Sequence, residues 1–201
     1  MRKTILFEAG LLLLIVFGGL VFLKTSAGGF SARADPTFAE IMAARTARSL
    51  AMPANARERI NPVSKTPEVL IEAKEHWADH CAVCHGNDGA GQVQMGKQMY
   101  PHAPDMRKEP TQKLTDGELF YIIENGIRLS GMPAWGGSTV GEQASWKLVH
   151  FIRHLPDLSA EEIARMEKLN PKSPDDIARE LAEEQFLNGE TPAETPKQHH
   201  H

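Results

Sequence analysis

The sequence predicts an all-α protein. Capped segments with apolar positions at helical spacing recur along the chain, alternating strand patterns are almost absent, and the N-terminus holds a long apolar run. Five parts follow from this: an apolar helix over 1–24, a lead-in or linker with a short helix over 25–65, a main domain over 66–156, a helical extension over 157–189, and a tail over 190–201. The main domain has three helices joined by long loops.

The first helix is "MRKTILFEAGLLLLIVFGGLVFLK". Its uninterrupted apolar run, Ala9 to Leu23, is 15 residues, and counted from Thr4 with Glu8 tolerated it is 20. The shorter count fits the core of a signal peptide and the longer one a membrane-spanning helix. Arg2 and Lys3 on the short leading side place the rest of the chain outside the cytoplasm. The preferred reading is a retained single-pass anchor, the alternative cleavage after Ala27 ("TSA") or Ala34 ("ARA"). Either way the remainder is exported.

In the lead-in, Asp35 serves as N-cap with Pro36 at the first helical position, and Phe38, Ile41 and Met42 share a face. Pro53 and Pro62 then break the pattern. In the main domain Thr66 caps a helix with Pro67 just inside, along which Leu70, Ala73, Trp77 and Cys81 recur at helical spacing. A glycine-rich loop (86–91) and an irregular stretch with Pro101 and Pro104 come next. "LTDGELFYIIENG" is a helix with a Thr115/Glu118 capping box and an Asn125-Gly126 stop. The loop "IRLSGMPAWGG" leads to "GEQASWKLVHFIRHLP", ended by Pro156. Ser159 with Glu162, and Ser173-Pro174 with Asp176, open two charged helices; the polar tail is expected to be disordered.

Composition narrows the functional classes. The chain is 41% hydrophobic and 24% charged with net charge −4; beyond residue 34 it holds 18 basic and 25 acidic residues, a net −7. No basic stripe with interleaved aromatics marks a nucleic-acid surface. The acidic balance suits a partner with a positive face, and equally serves solubility. Two cysteines exclude a disulfide scaffold. A loop-rich domain of this size buries little apolar area, so a large apolar group in its middle would resolve its stability.

Both cysteines lie in "DHCAVCHGNDGAG": Cys81, Cys84 and, adjacent, His85. A thioredoxin-like dithiol requires a βαβ setting, and a structural zinc site normally takes four ligands, whereas only His76 and His80 lie nearby. A disulfide leaves His85 without a role. Covalent haem uses all three residues, the thiols as thioethers to the two vinyl groups and the imidazole as proximal iron ligand.

The chain here resembles the class I c-type cytochromes, in particular the monohaem, His/Met-ligated, membrane-anchored or secreted bacterial kind. The resemblance covers about 68–156 and rests on "CAVCHG" followed by "DGAG", on "YPHAPDM", "LTDGELFYIIENGI" and "SGMPAW", and on a final aromatic helix. It implies the class I cytochrome c fold, three core helices and long loops around one covalent haem c. One departure is Ala73, where the family often has Gly four residues before an aromatic; Ala73 and Trp77 are expected to meet Leu148 and Phe151.

The sixth ligand decides between carrier and enzyme. Met95, Met99, Met106, Met132, His102 and His150 are the candidates. Met132 is preferred because Gly131 allows close approach, Pro133 stiffens the loop, and Trp135 can cover the ring edge or bond a propionate; it also matches the family's axial Met in "GMP". Met95 and Met99 read as packing or solvent-facing. The resemblance further implies that His85 donates its other nitrogen to the carbonyl of Pro104, with Pro101 as the alternative.

The expectation is therefore a one-electron carrier with iron between His85 and Met132, on the periplasmic side of the bacterial inner membrane, passing electrons between a respiratory donor and acceptor. Alternatives are a fixed cytochrome subunit of an oxidoreductase, a five-coordinate haem enzyme or gas sensor, and metal delivery through the tail histidines, His199 to His201.

Overall fold

The computed structural model describes residues 2–25, 31–137, 139–172 and 174–188, and among them there is no strand. Ala27, Ser173 and the tail from residue 189, with its three histidines, lie outside the described residues. Helix α1 (Arg2–Thr25) includes Ile5–Leu23, a 19-residue span long and apolar enough to cross a membrane, with every side chain exposed. A retained anchor and a signal sequence share these properties.

Helix α2 (Phe38–Ala51) starts later than its sequence suggests. Thr37, not Asp35, is the N-cap: its side chain accepts from Glu40 N–H while the Glu40 carboxylate accepts from Thr37 N–H, so two orphan donors are satisfied reciprocally. The short α3 (Ala54–Glu58) then seats Ala56 against α8 (Asp116–Asn125), where Gly117 is required because a Cβ would overlap the Ala56 carbonyl.

Packing therefore reaches back before residue 66. Arg59 spreads its guanidinium 4.3 Å from the Phe120 ring centroid and 5.2 Å from that of Trp146. Asn61 donates to the Trp146 carbonyl at 2.9 Å, and His150 Nε2 donates to the Val63 carbonyl at 2.7 Å.

Helix α4 (Pro67–His76) has the expected Thr66 cap and crosses α9 (Thr139–His154). Ala73 is fully buried at the crossing, small enough to let the backbones approach. One turn on, the Trp77 ring meets Phe151 edge-on at 5.2 Å, an arrangement worth about 0.5–1.5 kcal/mol beyond its burial. Helix α8, with its expected Thr115/Glu118 box and a stop at Gly126 (φ +65°), stacks Phe120 on Trp146 at 4.0 Å.

The connections hold two short helices that periodicity did not signal, α6 (Gln94–Gln98) and α7 (Glu109–Gln112). Arg153 on α9 ties the second down, donating to the Gln112 carbonyl at 2.7 Å and to Asp116 Oδ1 at 2.8 Å. After a 3₁₀ turn (Leu155–Asp157), α10 (Ala160–Glu167) opens with the expected Ser159/Glu162 box and buries Met166 in the same core. Glu162 also receives Lys74 and His154. Helix α11 (Pro174–Leu187) leaves Leu181, Phe186 and Leu187 exposed.

Candidate functional site

The cysteine-histidine segment lies at the end of α4, and a change of helix type places it there. Trp77–Cys81 is a π-turn in which Ala82 N–H reaches the Trp77 carbonyl, five residues back; α5 (Ala82–His85) follows. Such a turn holds one residue more than an α-turn and recurs at functional sites. Trp77 braces it, its Nε1 donating to the Gly86 carbonyl at 2.9 Å and its ring centroid lying 5.7 Å from that of His85. Gly86 (φ +74°) reverses the chain, and Gly91 N–H then returns to the His85 carbonyl at 2.8 Å. Gly96 of α6 lies so close to the Cys84 carbonyl that a Cβ would overlap it.

Cys81 and Cys84 are not joined to each other as a disulfide. Burial, and then the neighbouring Cys84, push the Cys81 thiol up to about 12, and burial raises Cys84 as well. Both are thus protonated at neutral pH. Burial lowers His85 to about 4, so its ring is neutral, the form in which imidazole binds a metal. No group of three or more His, Cys, Asp or Glu among the described residues could hold a metal ion by itself.

His85 Nδ1 is buried with no hydrogen-bond partner. The expected bond to Pro104 is not made. Pro104 is exposed, and the adjoining chain is committed elsewhere, with Ala103 N–H donating to the Gly96 carbonyl at 3.0 Å and Met106 N–H to the Gly89 carbonyl at 2.8 Å.

Met132 sits in a loop that closes on itself. Its N–H donates to Ser130 Oγ at 3.2 Å, and its carbonyl accepts from Ile127 N–H at 3.1 Å. Gly126 has φ +65° and no room for a Cβ against the Met132 carbonyl and Pro133. At the tip Leu129 takes φ +61° and is 93% exposed. Trp135 N–H pairs with the Ile123 carbonyl at 3.0 Å, and its 40%-exposed ring stacks on His80 at 5.5 Å, 6° from parallel.

Two contacts join this loop to the attachment segment's surroundings: Trp135 on His80, and Met99 against Gly131, whose Cβ would overlap the Met99 thioether. The second was not anticipated, because no local pattern pairs residues so far apart in sequence. Met95 is exposed, and Met106 packs against the core. Tyr121 is only half-buried, whereas Trp146 is fully buried.

The family described as "Cytochrome C oxidase, cbb3-type, subunit III" matches residues 70–152. The chain carries a c-type cytochrome domain. It therefore has covalently bound haem c and a role in electron transfer. No curated protein matches the chain. The donor set suits the cofactor: two protonated thiols and a buried neutral imidazole. The match spans α4 to α9, and the structure packs segments on both sides of it onto the cytochrome domain.

Proposed function

We propose that the protein is a one-electron carrier of the periplasmic face, held to the membrane by α1. Cys81 and Cys84 form the thioethers to haem c, and His85 and Met132 are its axial ligands. Haem c supplies one-electron redox chemistry at iron, and a thioether ligand favours the ferrous state relative to a second histidine. The chain's part is to hold both ligands still. Trp77, pinned to Gly86, fixes the height of the His85 helix. Trp135, stacked on His80, is placed to cover the haem edge.

The observation that carries this reading is the Met132 loop. Its backbone is bonded on both sides of the residue, which spends conformational freedom in advance and lets a thioether compete for iron. Met132→Ala is expected to retain covalent haem, lose the thioether–iron charge-transfer band, lower the potential and make the ferrous form bind carbon monoxide. Unchanged spectra would refute Met132 as the ligand. Rapid stoichiometric carbon monoxide binding by the unaltered protein would favour the five-coordinate reading.

A fixed place in an oxidase-type complex is the second reading. The subunit description of the matching family favours it, as do the exposed apolar residues of α2 (Phe38, Met42) and α11 (Phe186, Leu187). Co-migration with an oxidase after mild detergent extraction would support a fixed subunit; migration alone supports the carrier.

A further inference from the structure

The Met132 loop has little lateral support. Gly131, Pro133 and Ala134 are exposed, and the bonds of residues 127–132 stay within the loop. Met99 is different. Its Cβ, Cγ and Sδ lie along the Gly131 backbone, next to the proposed ligand, so closely that the space of a Gly131 side chain is already filled.

Met99 is itself held from two sides. It follows α6, whose Gly96 presses on the Cys84 carbonyl of the attachment helix. After it, Tyr100 lies beside Glu40 at the start of α2, close enough that, after Thr37, the hydroxyl helps lower the Glu40 carboxyl and, after burial, the carboxylate helps raise the Tyr100 hydroxyl. His102 Nε2 donates to the Ala32 carbonyl at 3.2 Å, and His102 Nδ1 lies 3.4 Å from Asp35. Residues 32–40 belong to the stretch between α1 and the cytochrome domain, so this part of the lead-in contacts 100–102, and Met99 bears on the ligand loop.

We propose that Met99 is a positioning residue for Met132: its side chain buttresses Gly131, and the 32–40 segment holds that buttress in place. The proposal rests on Met132 being the sixth ligand. Its role is one of shape, not sulfur. An unbranched side chain fills the irregular gap over Gly131, and Leu of similar volume does nearly as well. Without the buttress the loop samples positions in which iron is open, and external ligands gain the competition.

The test uses the full-length holoprotein and titrates the ferric form with imidazole while following the thioether–iron band. Met99→Ala is expected to keep covalent haem and the band, bind imidazole at least about tenfold more tightly, and have a lower potential; tenfold corresponds to about 1.4 kcal/mol. Met99→Leu is expected to stay within about twofold of the parent, and Tyr100→Phe to move the same way as Met99→Ala by a smaller factor. Should Met99→Ala fail to accumulate with haem, Met99→Leu and Tyr100→Phe carry the test. Parental affinity in both Met99→Ala and Tyr100→Phe, with the band lost in Met132→Ala, would overturn the buttress and leave the ligand reading intact. A band that survives Met132→Ala but vanishes in both Met99→Ala and Met99→Leu would make Met99 the ligand and overturn both.

Discussion

Cys81, Cys84 and His85 ride on the end of a helix whose preceding turns are buried against α9, whereas Met132 rides on a rim loop that bonds mainly to itself. The first half is fixed by the same contacts that fold the domain: Trp77 touches Phe151, Gly86 and the neighbourhood of His85 at once. The second half keeps its shape through a few short bonds and leans on Met99 and His80. Disturbing the attachment half should therefore cost stability, while disturbing the loop should change ligation with the fold intact. On the proposed ligation, the site couples to folding on one face and remains adjustable on the other.

The strongest attempt to break this contrast is the double change Cys81→Ala with Cys84→Ala. It is expected to abolish covalent haem and leave the domain largely unfolded, read by intact mass and far-ultraviolet circular dichroism; a folded apo-domain would show that the core stands without its cofactor. Next, Trp77→Ala should destabilise by about 3–5 kcal/mol in denaturant unfolding, because a large buried aromatic is lost together with its bond to Gly86. A loss near that of an exposed substitution would remove the distinction between the halves.

The smallest expected effect is on acid stability near the site. Asp105 follows Pro104, and Arg107 grips its two carboxylate oxygens at 2.8 and 2.9 Å. That bonding outweighs burial, which acts the other way, and lowers the carboxyl from 3.8 to about 2. A depressed carboxylate contributes stability above its unfolded value and loses it as pH falls, here between about 4 and 2. Asp105→Asn should lower the unfolding midpoint modestly at neutral pH, where the charged pair contributes in full, and flatten its fall between about pH 4 and 2, where parent and variant converge. A loss of stability with the same pH slope would mean that Asp105 acts through packing, not charge.

Much of this was legible in order along the chain, because caps are local. Thr66, Thr115 and Ser159 announced their helices by chemistry within four residues, and "CAVCH" pointed to the cofactor once a dithiol, a zinc site and a disulfide were weighed against it. What escaped depends on distance or competition. Thr37 displaced Asp35 as cap because its reciprocal bond with Glu40 is the better satisfied arrangement. Arg59 over Phe120 and Trp146, and Asn61 on the Trp146 carbonyl, make residues before 66 part of the packed unit, yet those partners are many tens of residues away. Met99 looked like filler for the same reason. The Pro104 bond was carried over from a resemblance, and the local course of 101–106 did not reproduce it.

The π-turn at Trp77–Cys81 works as a frame shift within a single rod. Upstream, the helix is read in the frame that points Ala73 and Trp77 at α9; downstream, it is read one residue out of step, a rotation of about 100° in α-helical terms. Two masters, core and cofactor, are served by one continuous stretch of backbone because the extra residue lets each keep its own angle. Straighten that turn, and whichever side of it holds its bearing, the other must give way.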